Sequence, residues 1–156
     1  MLGLLAWLAL LTAAAALGSL ASIDAPRFYA ALTRPDWAPP AWVFGPAWTV
    51  LYTLMAISAW LVWRESSSAR VRTALTLFMV QLVLNVLWSW LFFGWRLGLP
   101  SVVEIVLLWA SIAATIIVFW RIHRLAAALL LPYIAWVTFA AALNFTVWRM
   151  NPELLG

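Results

Sequence analysis

The chain has 156 residues, of which 67% are hydrophobic and only 9% are charged, and its formal net charge is +4. Soluble domains average about 25% charged residues and disordered chains are poor in apolar residues, so the composition excludes both classes and predicts one integral membrane domain over residues 1–156. The absence of Cys excludes disulfides and Cys-ligated clusters, and the basic residues, all Arg, lie singly at the ends of apolar runs rather than in the cluster typical of nucleic-acid binding.

Charged residues divide the chain into apolar stretches that are long enough to cross a bilayer as helices, which takes about 20 residues. The five stretches are 2–23, 37–63, 73–95, 97–120 and 125–148. Strands of a closed β-barrel would alternate polar and apolar residues, and these stretches do not. The first stretch is longer than the apolar region of a secretory signal peptide and no basic residue precedes it, so we expect a mature helix. The sequence therefore predicts an all-α integral membrane protein with a bundle of five transmembrane helices.

The connections between the stretches differ in length. Residues 66–68, 94–100 and 121–124 are short connections, which predict antiparallel neighbouring helices. The first loop, residues 24–40, is longer and carries four prolines, balanced charges and three aromatic residues. Long loops in compact domains are usually functional or disordered, and prolines with aromatics argue against disorder. We therefore expect the first loop to fold back as a lid over one mouth of the bundle.

Polar side chains are few within the stretches, and such residues face the bundle interior or a cavity. Three helical faces combine them with aromatic residues: Gln81, Asn85 and Trp88; Trp48 and Tyr52; and Trp136, Ala140 and Asn144. A further polar residue, Glu104, lies early in the fourth stretch. The amides could serve only as packing contacts between helices, or they could line a ligand pocket. The presence of Trp on the same faces favours the pocket.

The sequence contains 13 Trp, and most of them fall into two groups. About half lie near the ends of the stretches, where an indole anchors a helix at the membrane interface. Trp48, Trp88 and Trp136 lie deeper, and Trp37 and Trp42 flank the double proline at the end of the first loop. Flat aromatic surfaces suit a flat, largely apolar ligand. The second group therefore predicts a ligand-binding role.

Residues 34–52, which read RPDWAPPAWVFGPAWTVLY, resemble the hallmark segment of the TspO/MBR family, the bacterial tryptophan-rich sensory proteins and the mitochondrial translocator protein. Further segments agree in order and content: residues 81–88 with 92–94, 132–136, and 143–149. The resemblance extends from about residue 5 to residue 152.

The resemblance implies a five-helix bundle, usually dimeric, that binds tetrapyrroles such as protoporphyrin IX and haem, and also hydrophobic drugs, in a pocket under the first loop. Neither a required cofactor nor a protein metal site is implied, and His123, on a short loop, is not an expected axial ligand for haem. By motif, the pocket positions of the family fall on Tyr52, Asn85, Trp88, Ala140 and Asn144. Some bacterial members promote light-dependent oxidative breakdown of protoporphyrin, and the Trp implicated there match Trp48 and Trp136.

One departure concerns sterols. The mitochondrial proteins end in a cholesterol-recognition segment with a central Tyr, which is Phe145 here, between Leu143 and Arg149. Loss of the hydroxyl weighs against specific cholesterol binding. The partners that the resemblance implies are a tetrapyrrole or other hydrophobic small molecule, membrane lipid and a second copy of the chain.

Three functions follow as hypotheses. The leading one is a membrane receptor or sensor for tetrapyrroles, with a role in their transport or metabolism. The second is light-dependent porphyrin degradation through Trp48 and Trp136. It would depend on the photochemistry of the ligand, because no acid–base pair or nucleophile is recognisable. The third is a structural membrane subunit whose Trp residues serve only as anchors.

Overall fold

A computed structural model describes residues 2–65 and 68–156. Within these residues, five helical segments are long and apolar enough to cross a membrane. The α-helices in chain order are α1 (Leu2–Ala21), α2 (Ala25–Ala31), α3 (Phe44–Trp63), α4 (Ala69–Ser89), α5 (Gly98–Trp120), α6 (Arg124–Leu129), α7 (Leu131–Met150) and α8 (Pro152–Leu155). The predicted all-α, multi-pass membrane architecture is confirmed. Homodimer formation stays a prediction.

Two helix boundaries differ from the predicted stretches because of proline. The second membrane helix begins at Phe44, after a 3₁₀ turn at Ala41–Val43, rather than at Trp37. The prolines before it lack the N–H groups and the conformational freedom that a helix interior needs. The last membrane segment is interrupted between α6 and α7, because Pro132 near the start of α7 cannot continue the hydrogen bonding of α6.

The third membrane helix begins at Ala69, earlier than the predicted start at Thr73. Ser68 caps it, since its hydroxyl accepts a hydrogen bond from the Val71 backbone N–H at 3.3 Å. Arg70 and Arg72 therefore lie within the helix, near its start. Their long side chains allow the charged groups to stay at the membrane surface. The polar turn predicted at residues 66–68 lies mostly outside the described residues, which leave out 66 and 67.

The bundle is tightly packed at the end opposite the first loop. Phe78 of α4 lies between Phe119 of α5, with ring centroids 6.0 Å apart, and Trp7 of α1, at 5.7 Å. Gly3 of α1 lies against the indole of Trp63 with no room for a Cβ atom. Close packing at this end leaves the opposite half of the bundle as the place for a cavity.

The first loop folds back onto the bundle, as the sequence predicts. It contains α2, on which Phe28 and Tyr29 are buried. Phe28 packs against Phe92 and Phe93, with centroid distances of 6.0 and 6.4 Å. The Tyr29 hydroxyl donates a hydrogen bond to the Pro39 carbonyl at 2.9 Å, which joins the two ends of the loop.

Candidate functional site

A cavity of about 630 Å³ lies under the first loop. Its walls come from α1, α3, α4 and α7, and α2 covers it with Ala25, Pro26 and Tyr29. Small-molecule pockets typically have about 300–1,000 Å³ and a largely apolar lining with a few polar groups. No Asp, Glu, Lys or Arg is among the described lining residues. The cavity therefore suits an uncharged, mainly apolar ligand body.

The α3 and α7 side of the cavity is a continuous aromatic wall. Successive ring centroids are 5.5 Å apart for Tyr29 and Phe44, 5.9 Å for Phe44 and Trp136, and 6.4 Å for Trp136 and Trp48. Tyr52 extends the wall, 5.8 Å from Trp48. Phe44, Trp48 and Tyr52 are spaced by four residues, so one face of α3 carries all three. Most of these pairs meet edge to face, a favourable aromatic geometry.

The α4 side presents a second aromatic cluster. Trp88 stacks on Phe92 with ring planes 6° apart and centroids at 5.5 Å, and it meets Phe93 edge to face at 5.7 Å. Here α4 continues as a π-helical turn, Trp90–Gly94, in which the Trp95 N–H donates to the Trp90 carbonyl at 2.7 Å. The wider turn brings both neighbouring Phe side chains against Trp88. Such π turns occur frequently at functional sites.

On the α1 side, the lining residues nearest the first loop are small. They are Ala15, Gly18, Ser19 and Ser22, whereas Leu8 and Leu11 line the cavity farther from the loop. The hydroxyls of Ser19 and Ser22 donate to carbonyl groups of α1 itself, at 2.8 and 3.1 Å. This face therefore presents little polarity to a ligand.

Helices α1 and α3 both line the cavity. Thr12 and Ser19 of α1, and Gly45 and Thr49 of α3, line it and are exposed. Both helices are long and apolar enough to cross a membrane, so this side of the cavity lies among membrane-spanning segments.

A directed chain of hydrogen bonds forms the polar part of the site. The Tyr52 hydroxyl donates to Asn85 Oδ1 at 2.6 Å, Asn85 Nδ2 donates to the Tyr133 hydroxyl at 2.9 Å, and that hydroxyl donates to Gln81 Oε1 at 2.9 Å. Tyr52 and Asn85 reach the cavity, whereas Gln81 and Tyr133 are buried behind it. The donor of Tyr52 is used within the protein, so its oxygen is left to accept a hydrogen bond from a ligand.

Outside the cavity lining, several buried polar atoms have no hydrogen-bond partner among residues 2–65 and 68–156. They are Nε2 of Gln81, both carboxyl oxygens of Glu104 and Oγ of Ser111. A buried polar group without a partner is costly in a membrane.

Six of the predicted site residues line the cavity: Trp48, Tyr52, Asn85, Trp88, Trp136 and Ala140. Three predicted site residues do not. Trp37 packs against Phe139, with centroids 5.8 Å apart, and Trp42 is 73% exposed. Asn144 lies behind Trp88, where its Oδ1 accepts the indole N–H at 2.9 Å and its Nδ2 donates to Ser101 Oγ at 3.1 Å. Contact of any of the nine with a ligand stays a prediction.

Other lining residues were missed by the sequence reasoning. Phe44 could have been found from its four-residue spacing to Trp48, and Tyr29 from its place in the predicted lid. The position of Phe93 in the cavity wall depends on the π-helical turn, and no local sequence pattern predicts that turn. The lining residues of α1 carry no aromatic or amide group that would mark them in an apolar helix.

His123, the single His of the sequence, is far from this site. It caps the start of α6, where its Nδ1 accepts a hydrogen bond from the Ala126 N–H at 3.2 Å. Helix α6 begins at the end of the bundle opposite the first loop. The arrangement thus offers aromatic surfaces and neutral hydrogen-bonding groups to a ligand, and it places this imidazole outside the cavity.

Comparison with known proteins agrees with this architecture. The family model described as the TspO/MBR family matches residues 6–149. The tryptophan-rich protein TspO of Chlorobaculum tepidum is 41% identical over 129 residues, 80% of each chain. Protein CrtK of Rhodobacter capsulatus is 40% identical over 142 residues, 90% of this chain and 89% of that protein. The human translocator protein is 41% identical over 127 residues, 80% of this chain and 75% of that protein. The chain therefore belongs to the TspO/MBR family of multi-pass membrane proteins.

Proposed function

We propose that this protein is a membrane receptor or sensor that binds tetrapyrroles, such as protoporphyrin IX and haem, together with other hydrophobic ligands. Family membership supports the membrane sensor or receptor part of this proposal. The observation that carries the tetrapyrrole part is the uncharged cavity of about 630 Å³ between two aromatic clusters. A planar macrocycle has two large apolar faces, and the α3–α7 wall and the Trp88 cluster would each cover part of them.

The peripheral carboxylates of such a ligand need a different environment from its faces. The described cavity lining offers no cation, so the carboxylates would lie at the mouth. Two arginines that lie against α2, the helix that covers the cavity, would pair with them: the Arg34 guanidinium lies 4.6 Å from the ring centroid of Tyr29, and that of Arg96 lies 4.9 Å from the ring centroid of Phe28. The backbone of Arg96 is left-handed, with φ of 55°, a conformation that is uncommon outside glycine. This conformation sets the direction in which the Arg96 side chain leaves the backbone.

Titration of purified protein with protoporphyrin IX in detergent tests the proposal. The readout is quenching of Trp fluorescence together with the shift of the porphyrin absorbance band. Trp136→Leu removes an indole of the cavity wall, whereas Trp120→Leu removes a half-exposed indole at the other end of the bundle and serves as the matched control. Saturable binding that weakens at least tenfold in Trp136→Leu and is unchanged in Trp120→Leu is expected.

Absence of saturable binding to the unmodified protein would refute the tetrapyrrole proposal. If both variants instead lower thermal stability alike and leave binding unchanged, the Trp residues serve as structural anchors. That result would favour a structural membrane subunit.

A second candidate function is light-dependent oxidative degradation of the bound porphyrin. It is favoured by one observation: Trp48 and Trp136 both line the cavity and lie 6.4 Å apart, centroid to centroid. Illumination of the complex, with chromatography of the pigment, separates degradation from binding. Product lost in Trp136→Phe with binding retained would support degradation. Equal product in the variant would assign the light reaction to the pigment alone.

A further inference from the structure

Asn151, which follows α7, connects the end of the chain with the first loop. Its Oδ1 accepts a hydrogen bond from the Thr33 N–H at 2.8 Å, and its Nδ2 donates to the Thr33 carbonyl at 2.8 Å. The same Nδ2 donates to the Val147 carbonyl of α7, also at 2.8 Å. The side chain is 6% exposed, and its amide hydrogens and its oxygen are all used. The amide thus pairs with the backbone of Thr33 as a neighbouring strand would.

This pairing acts on the part of the loop that covers the cavity. Thr33 comes two residues after α2 ends at Ala31, and the intervening Leu32 is buried. Within the described residues, Asn151 makes the side-chain hydrogen bonds that join the first loop to a membrane helix, since the Tyr29–Pro39 bond lies within the loop. The segment that follows α2, the helix that covers the cavity, is therefore hydrogen-bonded to the end of α7 through one amide.

We propose that Asn151 is a positioning residue of the ligand site, which holds the first loop closed over the cavity and so sets the rate at which ligand leaves. This rests on the proposed function, because it takes the cavity as a ligand site. An amide side chain suits this role because it offers both the acceptor and the donors that the Thr33 backbone needs, whereas Asp offers no donor and Ala offers neither.

Loss of Asn151 is expected to loosen the loop rather than unfold the bundle. Thr33 is exposed, so water can replace the lost partners of its backbone. Phe28 still packs on Phe92 and Phe93, which keeps α2 near its place. Because the substitution removes the two hydrogen bonds to Thr33, opening of the first loop should become about ten- to a hundredfold more frequent.

The first measurement is the dissociation rate of protoporphyrin IX from the full chain, followed by stopped-flow fluorescence. Asn151→Ala and Asn151→Asp are expected to release the ligand about ten- to a hundredfold and at least severalfold faster, respectively. Thr33→Ala is the matched control, because the hydrogen bonds of Asn151 to Thr33 involve only its main-chain atoms, and its rate should equal that of the unmodified protein. Unchanged rates in both Asn151 variants would overturn the proposal.

The second measurement does not depend on any ligand. Amide hydrogen exchange of the ligand-free protein is compared over residues 29–35 and over α5. In Asn151→Ala, exchange of residues 29–35 should accelerate while α5 keeps its protection. Unchanged exchange of the loop would overturn the proposal, and so would acceleration in both regions, which would make Asn151 a general stabilising residue. If the unmodified protein binds no protoporphyrin, the tetrapyrrole proposal fails while the loop exchange still decides whether Asn151 closes the cavity.

Discussion

Replacement of Asn144 by Leu tests whether this residue positions Trp88 rather than binding a ligand itself. The substitution keeps about the same side-chain volume and removes two hydrogen bonds, one from the Trp88 indole N–H and one to Ser101 Oγ. Ser101 keeps its own donation to the Gly98 carbonyl at 2.7 Å. The buried Trp88 N–H is the group that loses its partner.

The expected cost follows from the burial of that N–H. Side-chain hydrogen bonds between membrane helices average about 0.6 kcal/mol and reach about 1.7 kcal/mol. A buried donor left without an acceptor costs about 1–3 kcal/mol. Two lost bonds with one such donor predict a decrease of about 1–3 kcal/mol in the free energy of unfolding. Trp88 should keep its stacking on Phe92, so the indole would shift rather than leave the cavity wall.

The assay is reversible unfolding in mixed micelles with increasing denaturing detergent, read by far-UV circular dichroism, for Asn144→Leu, Trp88→Phe and the double variant. Because one hydrogen bond joins the two residues, the double variant should be about 1 kcal/mol more stable than the sum of the single effects predicts. Additive effects would refute the pairing. Porphyrin binding that weakens in Asn144→Leu even when residue 88 is Phe would show instead that Asn144 contacts the ligand.

Four further substitutions give distinct expectations. Asn85→Leu removes both hydrogen bonds of the Asn85 amide, so it should lower the free energy of unfolding by about 1–3 kcal/mol and weaken porphyrin binding. Unchanged binding would show that this amide does not contact the ligand. Trp42→Phe should leave the protoporphyrin dissociation constant within about twofold, because this exposed residue does not line the cavity; a larger change would place it in the site. Gly45→Ala should change the free energy of unfolding by less than about 1 kcal/mol, because the added Cβ meets no atom of the rest of the protein within 4 Å and its gain in helix propensity is opposed by contact with the ring of the following Pro46; a larger decrease would contradict this. Gly98→Ala should lower thermal stability, because its Cβ would come within 2.7 Å of the Leu155 carbonyl oxygen; an unchanged melting temperature would show that the C-terminal helix gives way without cost.

Much of the fold could be predicted because membrane insertion makes charge and length decisive. Hydrocarbon excludes charged groups and requires helices of about 20 residues, so Arg residues at the ends of apolar runs indicated the five spans. The aromatic wall on α3 could be predicted in the same way, since Trp48 and Tyr52 are four residues apart and must share a helical face.

The remaining features depend on three-dimensional partners that a local pattern cannot indicate. Asn144 lies on the same face as Trp136 and Ala140, which favoured a ligand contact, yet the neighbouring α4 supplies Trp88 to its amide. Asn151 and Thr33 are 118 residues apart in the chain, and only the return of the first loop brings them together. Helix α1 is apolar or small on every face, so the sequence does not indicate which of its residues face the cavity.

The cavity lies among helices that are long and apolar enough to cross a membrane, and its lining is mainly apolar. An apolar ligand partitions into the bilayer, so the membrane acts as its reservoir, and occupancy of the cavity follows the mole fraction of ligand in lipid. Adding lipid at constant protein and constant total ligand dilutes that reservoir. The apparent dissociation constant, expressed per volume of solution, therefore rises in proportion to lipid concentration, and affinities for such ligands are comparable only at equal lipid concentrations.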